Sequence, residues 1–137
     1  MEAIECRREF EQPMQYPQVL VYERDVQLAA LVKAGLEERK LRWALREPRD
    51  LASCLRLLGR GGPAVVVIRL GGDLEAEFSL AERVAYLHPD AGTVLVGDAE
   101  HVALAGTGWD LGAAYVLLPP MSRESLPAIV VGLMGKV

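Results

Sequence analysis

The sequence predicts a doubly wound α/β domain with five parallel strands, and three observations carry that prediction; the pattern does not fix the strand order, but five βα units suit 2-1-3-4-5. Short apolar runs recur five times along the 137 residues, and helical periodicities separate them. The runs are almost continuously apolar rather than alternating, so helices are expected on both faces of the sheet. A chain of 137 residues is also the size of one domain with its own core.

The first strand is read in "QVLVYE" (18–23), followed by a helix with Leu28, Leu31, Val32 and Leu36 at three-four spacing. "RWALRE" (42–47) is the second strand. Pro48 suits a first helical position and introduces a helix carrying Leu51, Leu55 and Leu58, which Gly59, Gly61, Gly62 and Pro63 end. "AVVVIRL" (64–70) is the third strand, and Leu80, Val84 and Leu87 mark a helix closed by Pro89. "TVLVGD" (93–98) is the fourth strand, with Val102 and Leu104 on a short helix after it. "AYVLLPP" (114–120) closes the sheet, and Leu126, Ile129, Val130, Leu133 and Met134 form the inward stripe of a fifth helix. Residues 1–17 lack periodicity and read as a flexible N-terminal arm; 18–137 is the domain.

Composition narrows the class. The chain is 51% hydrophobic and 25% charged, without an apolar run near the roughly 18–20 residues that span a bilayer. "MEAIECRREFEQPMQYP" has no secretory or transit pattern, so a soluble, cytoplasmic protein is expected. Cys6 and Cys54 form no CxxC pair and read as reduced thiols. A net charge of −4 argues against a nucleic-acid binder, but the charge is uneven. Residues 37–60 hold Arg39, Lys40, Arg42, Arg46, Arg49, Arg56 and Arg60 against four acids, while 73–100 hold seven acids against Arg83. These are solvated helix faces or a docking surface for an acidic partner or phosphate.

A 2-1-3-4-5 sheet gathers ligand chemistry outside the carboxyl ends of its central strands. Those ends carry Glu23, Arg24 and Asp25, then Arg69 and Leu70, then Gly97 and Asp98, and at the fifth strand Leu118 and Pro119. Little else is promising. His88 and His101 read as surface residues without metal-ligand spacing. "GGD" (71–73) and "GTG" (106–108) read as turns and not phosphate loops. Ser53, Ser122 and Ser125 lack a visible His-Asp partnership, and Trp43 and Trp109 read as packing residues.

"QVLVYERD", "LAERVAYLHPDAGTVLVGD" and "GAAYVLLPP" together resemble the first strand with its acidic cluster, the third helix with the fourth strand, and the fifth strand with its Lys-Pro corner in receiver domains of two-component response regulators. The resemblance runs from about Gln18 to the C-terminus. It implies phosphoryl transfer onto an aspartate at the end of the third strand, with Mg²⁺ held by acids after the first, and a hydroxyl and a lysine absorbing phosphoryl charge. Carried over by position, Glu23 falls on the first acidic slot, Arg24 on the second and Asp25 just after. The phospho-acceptor slot falls on Arg69 counting from Pro63, or on Val67 matching "IRL"; Gly97 takes the hydroxyl's place and Leu118 the lysine's. The resemblance therefore implies a pseudo-receiver without catalytic residues, metal or cofactor.

Arg69 is expected either to plug the pocket, its guanidinium against Glu23 or Asp25, or to reach water along its apolar stem. Two function classes follow: a protein–protein interaction module acting without phosphorylation, or a small α/β enzyme or nucleotide-binding domain of similar topology. The apolar rim of Leu118, Gly97 and Val67 favours the first. The chain stops after its fifth helix, leaving no room for an output domain, so action through another protein is expected. On that helix Pro127, Ala128, Val131, Gly132 and Gly135 are expected to face outward without charge. The resemblance extends this face to Tyr115, which makes a homodimer or partner contact centred on Tyr115, Ala128 and Val131 the expectation. The N-terminal arm folding back through Ile4, Phe10 and Met14 is the alternative.

Overall fold

The computed structural model describes residues 17–23, 27–59, 63–119 and 123–134; Arg24, Asp25 and nearly all of the N-terminal arm lie outside them. The strands are β1 (Gln18–Tyr22), β2 (Ala44–Arg46), β3 (Val65–Arg69), β4 (Gly92–Val96) and β5 (Tyr115–Leu117). The helices are α1 (Gln27–Glu38), α2 (Leu51–Gly59), α3 (Leu74–Leu87), α4 (Ala105–Asp110) and α5 (Leu126–Met134). All four strand pairs are parallel and the order is β2-β1-β3-β4-β5, the predicted doubly wound sheet.

Side chains alternate across the sheet, and both sides are covered. Val19, Val21, Val65, Val67, Val94 and Val96 pack under α1 and α5, with Leu28, Val32, Leu36, Leu126 and Val130. Leu20, Val66, Ile68 and Leu95 pack under α2 and α3, with Cys54, Leu58, Leu80 and Val84. Val65 through Ile68 are fully buried, which accounts for a central strand that is apolar up to Arg69 at its end; each such side chain contributes roughly 1.5–3 kcal/mol through burial. No helix among the described residues is long and apolar enough to cross a membrane.

The helix ends have local causes. Arg39 donates to Gly35 O and α1 closes through Leu41 N to Leu36 O and Lys40 N to Glu37 O, with Lys40 at φ 55 in the left-handed conformation usual for glycine. Asp73 caps α3 by accepting from Ala76 N, and Asp50 accepts from Ser53 N at the start of α2. These two acids sit where the orphan amides of a first turn need acceptors.

Four expectations are corrected. "GTG" is part of α4, not a turn: a Cβ at Gly108 would lie 2.8 Å from Leu95 Cδ1, so glycine lets this short helix sit close on the sheet despite its poor propensity. Before it, Ala99–Leu104 is a 3-10 helix in which Val102 is exposed and the buried residue is His101. Pro127 faces inward, because a Cβ at Gly35 would come within 2.3 Å of Pro127 Cβ; the proline fills the notch that Gly35 leaves on α1. Trp43 packs on the α1–α5 side as expected, whereas Trp109 is 51% exposed.

Candidate functional site

The carboxyl ends of β1, β3, β4 and β5 converge on a small cluster of polar side chains. Glu23, immediately after β1, is buried, and its two oxygens accept from Leu28 N (3.0 Å) and Ala29 N (2.8 Å). A carboxylate at this place satisfies amides of the first turn of α1 and complements the positive end of its dipole. Its role is to hold the start of α1.

Arg69 ends β3. Its register partner is Val96, so it lies beside the segment that leaves β4, and its Nη2 comes within 3.6 Å of Asp98 Oδ2. Of the two expected partners of Arg69, Asp25 lies outside the described residues and Glu23 gives way to Asp98 as the ion-pair partner, while the Glu23 oxygens accept from α1 amides. β1 and β4 both flank β3, with Tyr22 level with Ile68 and Val96 level with Arg69, so strand order alone does not choose between the two sides; the α1 amides take up the Glu23 oxygens. Arg69 Nη1 is buried without a hydrogen-bond partner among the described residues. The other candidate for the acceptor slot, Val67, is mid-strand and fully buried, so Arg69 is the residue at the strand's end.

Asp98 is shared. Its Oδ1 accepts from Arg123 Nη2, so one carboxylate lies between two guanidiniums from different elements. Arg123, which follows the Leu118-Pro119 corner, was not singled out from sequence; a lone arginine in a polar stretch carries no periodic signal.

Gly97 and Leu118 complete the enclosure. Leu118 is buried, and a Cβ at Gly97 would lie 2.7 Å from Leu118 Cδ2 and 2.9 Å from His101 Nδ1. The place that a hydroxyl-bearing side chain would need is filled. His101, expected at the surface, is 5% exposed and forms a capping box: Asp98 N donates to His101 Nδ1 at 2.9 Å. Its ring lies against Gly71, 3.3 Å from where a Cβ there would stand.

The polar atoms of Asp98, Glu100 and His101 lie within 4.8 Å of one another, the spacing of a metal cluster. The donor chemistry is wrong for one. Nδ1 accepts the Asp98 amide proton, so the ring's own proton is on Nε2 and no imidazole lone pair faces the acids. Asp98 is held by two arginines. For the same reason the 3.9 Å approach of His101 Nε2 to Glu100 is not an ion pair.

The "GGD" turn has a function that sequence reasoning missed. Glu77, counted there as part of an acidic face, is 3% exposed and accepts from Gly71 N, Gly72 N and Asp73 N, each at 2.9 Å. Gly71, at φ 119, supplies the left-handed step that aims these amides at one carboxylate. A glycine pair followed by Asp73 and then Glu77 was the available signal.

On the far side of the sheet the predicted interaction residues are partly assembled. Tyr115 (41% exposed), Ser125, Ala128, Ile129, Gly132 and Leu133 line a groove of about 280 Å³ between β5 and α5. Ala128 is exposed as expected; Val131 is half-buried and packs on the core.

Solved structures share this architecture. The receiver domain of the Francisella response regulator 1452 matches over 88% of this chain and 98% of its own, with a TM-score of 0.70 and 21% identity. A response regulator from Thermotoga maritima matches over 88% and 98%, at a TM-score of 0.71 and 19% identity. An adenylate cyclase from Rhodopirellula baltica matches over 88% and 89%, at 0.72 and 10%. No protein-family model matches the chain, and no curated protein matches it in sequence. With the strand order, these likenesses establish that the chain has the fold of response-regulator receiver domains.

Proposed function

We propose that the chain is a pseudo-receiver: a signalling module that acts by protein–protein contact, without phosphorylation and without catalysis of its own. The observation that carries this reading is Arg69 at the carboxyl end of β3, paired with Asp98. Phosphoryl transfer to a receiver needs a carboxylate there as nucleophile, and a guanidinium cannot attack phosphorus. Around it, Glu23 has both oxygens on α1 amides, Gly97 offers no hydroxyl, and Leu118 no ammonium. The Arg69–Asp98–Arg123 cluster provides fixed positive charge where a working receiver gains and loses charge, which favours a single conformation of the β4–α4 segment.

The partner surface in this reading is the β5–α5 groove around Tyr115 and Ala128, occupied by a second copy or another signalling protein. The decisive experiment is incubation with acetyl phosphate and Mg²⁺, followed by intact-mass measurement. No mass change is expected. A base-labile gain of one phosphoryl group would overturn the proposal, with Asp73 and Asp98 as the acceptors to check.

A further inference from the structure

The basic stretch of the sequence folds onto the opposite side of the molecule from the β5–α5 groove, at the open edge of the sheet. Among the described residues β2 pairs only with β1. Ala44 N donates toward β1, to Pro17 O at 2.9 Å. Backbone groups alternate along a strand, so the amide and carbonyl of Leu45, and then of Glu47, are directed to the open side.

Beside that edge lies a groove of about 400 Å³ between β2 and α2. Leu45, Pro48 and Leu57 give it apolar lining; Arg46, Arg56 and Ser53 give it polar lining, with Glu47 as its one acid. Arg56 donates to Ser53 Oγ at 3.0 Å, and no carboxylate among the described residues pairs with Arg46, Arg49 or Arg56. Asp50, the nearest candidate, accepts from Ser53 N at 2.7 Å as the α2 cap. Edge strands are normally protected by charge; here the charge is mostly arginine, whose fork suits carboxylates, with Glu47 in the groove and Asp50 close enough for its charge to interact with Arg56.

We infer that this groove docks an extended segment of another protein in which acidic and apolar residues alternate, added as a strand beside β2. The period of a strand matches the site: β2 alternates Leu45, on the α1 side of the sheet with the half-buried Trp43, and Arg46, on the α2 side with Arg56. An added strand presents its acidic side chains to the arginines and its apolar ones to Leu45, while its backbone pairs with the outward groups of β2. The inference uses neither the sealed strand ends nor the β5–α5 face, so it stands or falls apart from the pseudo-receiver reading.

The test uses a fluorescein-labelled synthetic peptide alternating Glu and Val, and the same peptide with Lys for Glu, in an anisotropy titration of the whole protein. Binding of the Glu peptide is expected, with severalfold loss between ~50 and ~300 mM salt as screening shortens. Arg46→Glu/Arg56→Glu is expected to weaken it at least about tenfold, and Arg83→Glu on α3 to leave it unchanged. Glu47→Pro separates charge from strand pairing: it makes the groove more positive but removes an outward amide, and is expected to weaken binding. Circular dichroism confirms that each variant folds. Equal affinity for the two peptides, indifference to the double Glu variant, undiminished binding by Glu47→Pro, or complete competition by millimolar inorganic phosphate each overturns the inference.

Discussion

The centre and the edges of the sheet present opposite surfaces. At the carboxyl ends of β1, β3, β4 and β5, where doubly wound folds place ligand chemistry, the described side chains contact one another. Leu118 and His101 press on Gly97, Arg69 and Arg123 hold Asp98, and Glu23 holds α1. At the two edges, β2 and β5, grooves of about 400 and 280 Å³ stay open, one rimmed by arginine and the other uncharged. If the pseudo-receiver reading holds, contact at the rim and not chemistry at the centre carries the function, and the two regions should respond differently to substitution.

The largest expected effect comes from trying to reopen the centre. Gly97→Thr restores a hydroxyl where receivers carry one, but its Cβ would stand 2.7 Å from Leu118 Cδ2 and 2.9 Å from His101 Nδ1. Overpacking should cost about 1–3 kcal/mol in a urea melt, with no phosphoryl uptake gained. A Gly97→Thr protein as stable as the parent would show that the centre is loose rather than sealed.

The edge should respond differently. Ala128 is exposed in the β5–α5 groove, and nothing lies within 4 Å of a Cβ built at Gly132. Ala128→Glu should leave the melting temperature within about a degree while weakening self-association or partner binding roughly tenfold, about 1.4 kcal/mol, by analytical ultracentrifugation or titration. Val131 is a poorer position for such a charge because it packs on the core. An unchanged association constant in Ala128→Glu would remove this edge as the contact.

Strands and helices, and their alternation along the chain, were legible because burial on two faces demands uninterrupted apolar runs, and "AVVVIRL" shows this without help from any neighbour; the strand order was suggested by the number of βα units and not by those runs. Partnerships across the sheet were not. Arg69 could be placed at a strand end from sequence, but β3 has a neighbour on each side, and the turn of its guanidinium toward Asp98 has no signal in the hydrophobic pattern. His101 and Glu77 were hidden for another reason. Each is a polar residue buried to satisfy backbone amides, a demand that hydrophobic periodicity does not register. Gly108 obeys close approach between elements, which overrides its ordinary preference for turns, while Pro127 keeps its place in the first turn of α5 and faces inward because Gly35 leaves it room.

Arg69 itself should matter less to stability than a buried plug would. The pair with Asp98 is 3.6 Å long, the Asp98 side chain is 45% exposed and keeps Arg123, and removing Arg69 also removes a buried donor without a partner. Arg69→Ala is therefore expected to cost at most about 1 kcal/mol after solvent screening, and Asp98→Asn combined with it to be clearly non-additive. A loss of several kcal/mol would mean that Arg69 anchors the centre after all.

An effect confined to alkaline pH, and absent at neutrality, lies under α2, between the two regions. Burial pushes the Cys54 thiol up to about 12 from an ordinary 9.0, with the Asp50 charge adding to the shift, and burial likewise raises Tyr22, helped by Cys54. The folded chain therefore holds a proton on Cys54 between about 9 and about 12 that the unfolded chain releases. More protons bound to the folded state means stability falls as pH rises through that window, with a slope approaching ~1.4 kcal/mol per pH unit for one full proton. Below pH 9 the same group contributes no pH dependence. Urea melts from pH 8 to 11 should show the parent losing stability more steeply than Cys54→Ala, and a thiol reagent at pH 8 should modify Cys54 only as fast as the chain opens. Equal slopes in parent and variant, or modification of the folded protein at the rate of a free thiol, would place Cys54 in contact with solvent and α2 loose on the sheet.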